Sequence, residues 1–267
     1  MIDNETVTEA IEYILLHIWE NITLEEVAAH CHMSVSYFSK IFKGQTGLSV
    51  YAFIKKVKME QSAMKLKMEA DRSITEIGED YGYSASNYSS AFSQYHKKAP
   101  SAFRNELPGE SEETQKIIAA INTKIRIVTK PDYLVMYERT IGNYSDLPEV
   151  WCNFMEKHKN EIRKDTIFFE RTFDDPTIVQ KDKCIYDICM SIHTPEKYKN
   201  TSVLKGGKFA VYPYKGYINA IYTLNQELVG IWFPASHYEI DERYSYDQYH
   251  KVGEDGYMEF DICIPVR

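Results

Sequence analysis

The sequence lacks any apolar run near the roughly 20 residues that a membrane helix requires. Its first residues also lack the basic and then apolar pattern of a signal peptide. These absences predict a cytoplasmic protein without a membrane span. The five cysteines form no Cys-x-x-Cys pair, so we expect reduced, mostly buried thiols. Nucleotide-binding glycine loops and the usual hydrolase motifs are missing too, and we predict neither a metal nor a cofactor.

Basic residues are absent from the first 33 positions, which contain seven acids. Positions 34–68 then contain seven lysines against one acid, Glu60, although the formal charge of the whole chain is -8. Phosphate binding requires a local basic surface and not a basic protein. The segment 34–68 therefore predicts a nucleic-acid contact, while a solvated lysine face on a long helix is the alternative.

A polar, turn-rich run at residues 107–116 divides the chain into two halves with different apolar periods. The period before this run is helical, and short segments after it alternate at every second residue. We predict a domain at 1–107, a linker at 108–122 and a second domain at 123–267. The expected fold class is α+β.

The first half contains an internal repeat. Residues 22–34 and 72–84 share one pattern, in which Thr23 or Ser73 caps a short helix and an acid follows three residues later. A serine then caps the next helix, which carries two aromatic residues four positions apart. A helix, a tight turn and a second helix form a helix-turn-helix unit, so we predict an all-α domain with two such units.

A helix predicted at about 50–68 connects the two units. Its 19 residues span about 28 Å, close to the ~34 Å between successive major-groove faces of B-DNA. One chain could therefore place two recognition helices in adjacent major grooves of double-stranded DNA.

Two segments of this half resemble the AraC family of transcription regulators. They are Ser34–Lys43 followed by Thr46-Gly47, and Ile77–Ser84 continuing through Tyr88, Phe92 and residues 100–104. The resemblance implies DNA contacts from exposed positions of both recognition helices. The residues that it assigns, with neighbouring lysines as phosphate contacts, are Ser36, Ser39, Lys40, Lys43, Ser86, Asn87, Ser89, Ser90, Lys97 and Lys98.

This sequence departs from the family pattern at two places. Residues 85–95 contain neither Lys nor Arg, although the family commonly has an arginine in the second recognition helix. Asn87 could pair with adenine or only position that helix, whereas Lys97 and Lys98 suit phosphates. Gly78 stands where alanine is usual.

The second half contains 14 of the 21 tyrosines. We predict strands at 124–129, 133–140, 166–172 and 184–193 around a helix at 146–159. A second round has a strand at 208–213, a helix at 215–230, an irregular segment at 232–249 and a strand at 257–265. This order predicts a duplicated β-α-β-β unit forming an antiparallel sheet with a central cleft.

The last predicted strand places two acids on one face. Alternation puts Phe260 and Ile262 on one side and Glu259, Asp261 and Cys263 on the other. A carboxylate among aromatic rings is a suitable site for a lipophilic cation. An acidic face open to solvent, with the aromatic residues packed elsewhere, fits the pattern equally well.

The second half is similar to the GyrI-like effector-binding domain of multidrug-sensing regulators. The resemblance is carried by residues 137–144, Trp151, the motif 174–176 ending at Pro176, and residues 206–211, 232–238 and 262–265. It implies that an acid near the last strand and surrounding aromatic residues bind hydrophobic, often cationic molecules. The ligand-binding residues that we predict are Tyr137, Tyr144, Trp151, Tyr212, Trp232, Glu259 and Asp261.

Together these patterns predict a ligand-responsive, DNA-binding transcription regulator and not an enzyme. Its expected partners are double-stranded DNA, a small-molecule effector and RNA polymerase. One alternative is a hydrolase of small electrophiles in which Glu259 acts as general base. Another is a module whose second half sequesters a protein.

Overall fold

The computed structural model describes residues 2, 4–106, 108–175, 177–253 and 256–267, without the side chains of residues 218 and 219. Residue 107, at the predicted domain boundary, and Pro176 lie outside the described residues. The chain divides into two compact units at residues 107–108. No described helix is long and apolar enough to cross a membrane.

The first unit is all-α, as predicted. Helix α1 ends at Leu16, because His17 leaves the helical conformation and caps it. The seven helices among the described residues of this unit are α1 (Glu5–Leu16), α2 (Leu24–His30), α3 (Val35–Thr46), α4 (Val50–Met68), α5 (Ile74–Asp80), α6 (Ala85–His96) and α7 (Pro100–Arg104).

Both predicted capping boxes are present. Thr23 caps α2 and exchanges hydrogen bonds with Glu26, and Ser73 caps α5 in the same way. Ser34 and Ser84 occupy the N-cap positions of α3 and α6 in extended conformations, but their side chains form no capping hydrogen bond. The first helix of each helix-turn-helix unit is therefore fixed by its cap, whereas the second depends on packing.

The backbone repeats with a period of 50 residues. The turn between α2 and α3 contains His32 at φ 54°, and Gly82 adopts φ 78° at the matching place. Helix α3 ends at Gly47, at φ 72°, and α6 ends at Lys97, at φ 61°. Because the left-handed region costs a side-chain-bearing residue about 1–2 kcal/mol, His32 and Lys97 are held there by the fold.

Aromatic pairs form the core beneath each recognition helix. Phe38 and Phe42 of α3 are buried, and Tyr88 and Phe92 occupy the same positions on α6. A Cβ atom on Gly78 would lie 2.7 Å from Cγ of Tyr88. The bulky Tyr88 ring thus explains the glycine at a position where the family usually has alanine.

The lysines of α4 do not form the exposed basic surface that charge counting predicted. Lys56 and Glu60 are both buried and form an ion pair of 2.6 Å, and the Tyr95 hydroxyl donates to Glu60. Lys58 is also buried. Its ammonium group donates to the carbonyl oxygens of Glu20 (2.8 Å) and Tyr81 (2.9 Å).

The remaining α4 lysines are also engaged. Lys65 pairs with Asp80 at 2.9 Å and lies over the Trp19 ring, and Lys67 lies over the Phe103 ring. Lys55 donates to Gln94. Of the contact predicted over residues 34–68, the part on α4 is wrong, because Lys56 and Lys58 are buried and the other α4 lysines are engaged within the first unit.

The second unit is an antiparallel sheet with helices. Its described strands are β1 (Arg126–Lys130), β2 (Tyr133–Gly142), β3 (Phe168–Thr172), β4 (Cys184–Ser191), β5 (Thr201–Leu204), β6 (Gly207–Tyr217), β7 (Tyr246–Val252) and β8 (Tyr257–Pro265). Its helices are α8 (Glu112–Asn122), α9 (Leu147–His158) and α10 (Ile218–Glu227), which continues through a wide turn at residues 228–232 into α11 (Phe233–Ala235).

The structure contains three elements that the patterns did not predict. Helix α8 lies within residues 108–122, which we expected to be a linker, and its Ser111 capping box explains why a polar segment is helical there. Strand β5 is short and pairs with β2. Strand β7 begins in the segment predicted to be irregular, and it forms there because pairing with β3 and β8 supplies its hydrogen bonds.

The duplication is confirmed by the strand order β1-β6-β8-β7-β3-β4-β2-β5. One unit comprises β2, α9, β3 and β4, and the other comprises β6, α10, β7 and β8. The two units join where β3 pairs with β7. The centre of the sheet is therefore the seam between the two copies.

The two faces of the sheet bury different groups. One face carries Arg139 and Arg171, both fully buried, whose guanidinium groups hold the buried carboxylate of Asp187. Burial of such ions is tolerated only when they are paired and hydrogen-bonded. Alternation along β3 puts Arg171 on this face and Glu170 on the other.

Candidate DNA-binding and ligand-binding sites

Helix α3 presents a polar surface next to its buried aromatic pair. Ser36, Lys40 and Lys43 are exposed, and Ser39 is half-buried. Within the described part of the chain, neither Lys40 nor Lys43 has an ion-pair partner. These two ammonium groups are therefore available to phosphates, unlike the lysines of α4.

Helix α6 presents the same surface without charge. Ser86, Asn87, Ser89 and Ser90 are all exposed, on the side away from buried Tyr88. Hydroxyl and amide groups can read base edges or bind phosphates. The geometry allows both uses.

The two lysines that follow α6 supply the positive charge that this helix lacks. Lys97 is exposed and donates to the carbonyl oxygen of Gln94 at 2.9 Å. Lys98 is exposed and forms an ion pair with Glu106. Of the two, only Lys97 has no acidic partner in the described structure.

The other candidate site lies at the seam of the sheet. Glu170 of β3 is directly opposite Asp247 of β7. The same row across the sheet continues through Ile262 to Tyr212 on one side, and through Ile188 on the other. An acid pair at the centre of the sheet is thus flanked by isoleucines.

Aromatic groups surround these acids. Glu170 is 2% exposed and accepts a hydrogen bond of 2.8 Å from the Tyr249 hydroxyl. The Tyr249 ring lies 4.8 Å from both Trp151 and Phe260. Tyr144 stacks on Tyr186 with ring centroids 4.7 Å apart. Aromatic faces are negative, so they attract a cation.

Two buried polar atoms around the site have no hydrogen-bond partner in the described structure. They are the hydroxyls of Tyr144 and Tyr186. Buried polar atoms are nearly always satisfied in native proteins. These two hydroxyls are thus available to a bound molecule.

Burial changes the acidity of the site. It raises the pKa of Glu170 to about 7, against the smaller opposing effect of the Tyr249 hydrogen bond. Burial and the neighbouring Glu170 carboxyl also hold the pKa of Asp247 well above its usual range. Two acids side by side cannot both ionise easily, so the pair retains a proton near neutral pH.

Glu259 and Asp261, predicted as pocket acids, lie on the opposite face of the sheet from Glu170. Glu259 forms a 2.6 Å ion pair with exposed Lys215, and this hydrogen bond lowers the pKa of Glu259. Asp261 lies 3.2 Å from His250. The Glu259 carboxylate is held in its ionised form, whereas a general base near neutral pH requires a raised pKa.

The other predicted ligand-binding residues separate into three groups. Tyr144 and Trp151 lie at the Glu170 site. Tyr212 and Trp232 contact the end of α8, where Lys124 lies over the Tyr212 ring and Nε1 of Trp232 donates to Asn122. Tyr137 packs in the core beneath the opposite face.

Sequence reasoning missed Glu170 and Asp247. The available signal was the alternation in Phe168–Thr172, which puts Glu170 on the same face as Phe168. That pattern does not reveal that β3 lies at the centre of the sheet, and β7 was not recognised as a strand.

The run His30-Cys31-His32 contains three side-chain types that can bind metals. Cys31 is buried, and its thiol donates to the carbonyl of Thr6. The described residues contain no group of three or more side chains that could hold a metal ion.

Comparison with known families decides the relationship. A model described as the GyrI-like small molecule binding domain matches residues 123–267, and a helix-turn-helix domain model matches residues 27–106. The chain belongs to the GyrI-like family, whose model covers more than half of it, and carries an AraC-type helix-turn-helix domain ahead of that part. Both resemblances in the sequence are thereby confirmed, as is the α+β fold class.

Individual relatives match only part of the chain. The regulatory protein PocR of Salmonella typhimurium is 34% identical over 100 residues, which are 37% of this chain and 33% of PocR. The C-terminal domain of AraT from Geobacillus stearothermophilus is 31% identical, with 41% of this chain and 90% of that one covered and a TM-score of 0.38. The chain spans about a third of the length of PocR.

One more solved structure is only distantly similar to this chain. SAV2435 bound to tetraphenylphosphonium is 11% identical, with 54% of this chain and 94% of that one covered and a TM-score of 0.40. The family models, and not these distant structural likenesses, establish the relationship.

Proposed function

We propose that this chain is a ligand-responsive transcription regulator. Its two helix-turn-helix units bind adjacent major grooves of double-stranded DNA, and its sheet unit binds a lipophilic cation beside Glu170. The observation that carries the proposal is the acid pair of buried Glu170 and half-buried Asp247 among aromatic rings, joined in one chain to a helix-turn-helix pair.

The DNA part of the proposal rests on the two recognition helices. Helices α3 and α6 bury matching aromatic pairs and expose matching polar positions, so both are presented alike. The 19 residues of α4 give the connection the length needed for one turn of DNA. Lys40, Lys43 and Lys97 supply the phosphate contacts, and the serines and Asn87 face the bases.

The ligand part rests on charge and burial. An ionised Glu170 would be costly in this surrounding unless a cation neutralised it. Ring faces of Trp151, Tyr144 and Tyr249 add cation–π attraction. A hydrophobic cation meets both requirements, because it leaves water readily and brings the missing charge.

Ligand binding changes transcription in this proposal. The effector shifts the balance between two states that present the DNA-binding helices differently, or that differ in how the bound chain meets RNA polymerase. Either route requires different ligand affinities in the two states.

Two binding measurements on the full chain test the proposal. Titration with tetraphenylphosphonium, a permanent cation, should saturate, and Glu170→Gln should weaken it about tenfold, equal to roughly 1.4 kcal/mol. The control Glu259→Gln removes an acid from the opposite face and should leave the affinity unchanged. Equal binding by the parent and Glu170→Gln chains would contradict the assigned site.

DNA binding is tested by gel shift with a duplex selected from a random pool. We expect specific binding whose affinity falls steeply with salt. Binding that is insensitive to salt and sequence would contradict the DNA part independently of the ligand part.

A further inference from the structure

The acid pair at the seam of the sheet has more carboxyl groups than one positive charge requires. Glu170 and Asp247 are directly opposite each other on β3 and β7. Opposed side chains on antiparallel strands have Cβ atoms about 4.5–5.5 Å apart and share a face. The two carboxyl groups therefore line one and the same site.

In the part of the chain that the structure describes, this pair has no positively charged partner. The neighbours of Glu170 and Asp247 in the row are Ile188 and Ile262. Among the described residues, neither acid forms an ion pair. The nearest charged residue along the row is Glu138, two strands or about 10 Å away, and it is already bound to Lys157 and His158.

Other titratable groups facing the pair are acids or neutral donors, so they cannot supply the charge. They are Tyr144 in the turn before α9, Asp174 in the segment after β3, Cys184 and Tyr186 on β4, Tyr222 on α10 and Tyr249 on β7.

An independent feature shows that the site is built for a ligand. Tyr186 is fully buried and Tyr144 is 7% exposed, and both lie close enough to Glu170 to interact electrostatically. Neither hydroxyl has a hydrogen-bond partner in the part of the chain that the structure describes. Asp247 is only partly buried, so the site has contact with solvent.

We propose that Glu170 and Asp247 together bind a lipophilic dication, with one carboxylate for each positive charge, and that binding displaces the proton held by the empty pair. The displaced proton passes to solvent. A monocation would neutralise one carboxylate and leave the other protonated. This inference rests on the proposed function, because it specifies the ligand class of the same site.

Two isosteric probes distinguish one charge from two. Meta-xylylene bis(trimethylammonium) carries two permanent charges, and replacing one of its nitrogens with carbon gives a monocation of the same shape. For the parent chain we expect the dication to bind at least about tenfold more tightly near pH 8, a difference equal to one well-placed charge interaction. Calorimetry in two buffers of different ionisation enthalpy should show about one additional proton released with the dication.

The variant Asp247→Asn tests the second acid. We expect it to lose most of the preference for the dication, about tenfold in affinity, and the additional proton, while binding of the monocation changes by less than about threefold. Thermal unfolding of the full chain verifies that the variant is folded, and Asp261→Asn on the opposite face is the matched control.

The outcomes separate this inference from the proposed function. Equal affinities for both probes, with Glu170→Gln still weakening them, would overturn the two-acid site and leave the cation-sensing function standing. Failure of both probes and of tetraphenylphosphonium to bind would overturn both. If Asp247→Asn unfolds the chain, equal proton release by the two probes in the parent chain would refute the inference.

Discussion

Replacing Lys58 with methionine should destabilise the all-α first unit without removing a DNA contact. The ammonium group is buried and bridges the carbonyl oxygens of Glu20 and Tyr81, which belong to different halves of the unit. Each carbonyl left unsatisfied costs about 1–3 kcal/mol. Part of that loss is offset because methionine avoids the desolvation that lowers the pKa of Lys58. We expect a net loss of roughly 3 kcal/mol.

Urea unfolding followed by far-ultraviolet circular dichroism measures this loss as a lower midpoint of the helical transition. The matched control is Lys40→Met on the exposed surface of α3, which should change stability by less than about 0.5 kcal/mol. The salt dependence of DNA binding should show the reverse pattern, changing in Lys40→Met and not in Lys58→Met. Lys40→Met should lower the slope of log affinity against log salt by about 0.9, whereas Lys58→Met should retain it under folding conditions. A stable Lys58→Met chain with a reduced slope would refute the structural role of Lys58.

Three further predictions concern single side chains. Burial raises the pKa of Glu170 to about 7, so the folded state retains its proton and the free energy of unfolding should fall as pH rises from about 4.5 to 7. This fall amounts to at most roughly 3 kcal/mol. Glu170→Gln should abolish it, so the variant should have a higher Tm than the parent chain near pH 8. Gly78→Ala should cost about 1–3 kcal/mol by overpacking, whereas Gly44→Ala, where a Cβ meets nothing within 4 Å, should be stabilising by about 0.4–1 kcal/mol, both measured by urea unfolding. The Glu138 hydrogen bond raises the pKa of His158, so its stabilisation is present below about pH 6.5 and lost as pH rises through the raised pKa; His158→Gln should therefore lower Tm more at pH 6 than at pH 9.

Local signals predicted the helical half well. The boxes at Thr23 and Ser73 depend on residues three positions apart, so the sequence contains all that forms them. The 50-residue repeat likewise predicted two units.

The number of lysines in α4 did not predict their role, because a count does not tell which side of the helix each side chain faces. Lys56 and Glu60 are four residues apart, so they lie on one helical face. In the sequence both residues stand close to Phe53 and Val57, and all four are buried. That pairing could have indicated an internal ion pair.

The ligand site was only half predictable. The sequence pointed to Tyr144 and Trp151, which lie beside Glu170, but it assigned the acid to the last strand because the alternation of that strand is clear. Which face of a strand lines a site depends on strand order, and the β3–β7 pairing joins residues far apart in the chain. No local pattern contains that information.

In the proposed function, one chain converts binding of a cation into a change in transcription. The direct test is transcription in vitro by RNA polymerase from a promoter containing the selected DNA site, with the full chain and with or without saturating tetraphenylphosphonium. Typical coupling free energies predict a change of about 5- to 150-fold in transcript, absent with Glu170→Gln and retained with Glu259→Gln. A transcript level that the cation leaves unchanged, although the chain binds both the cation and the DNA, would contradict the account.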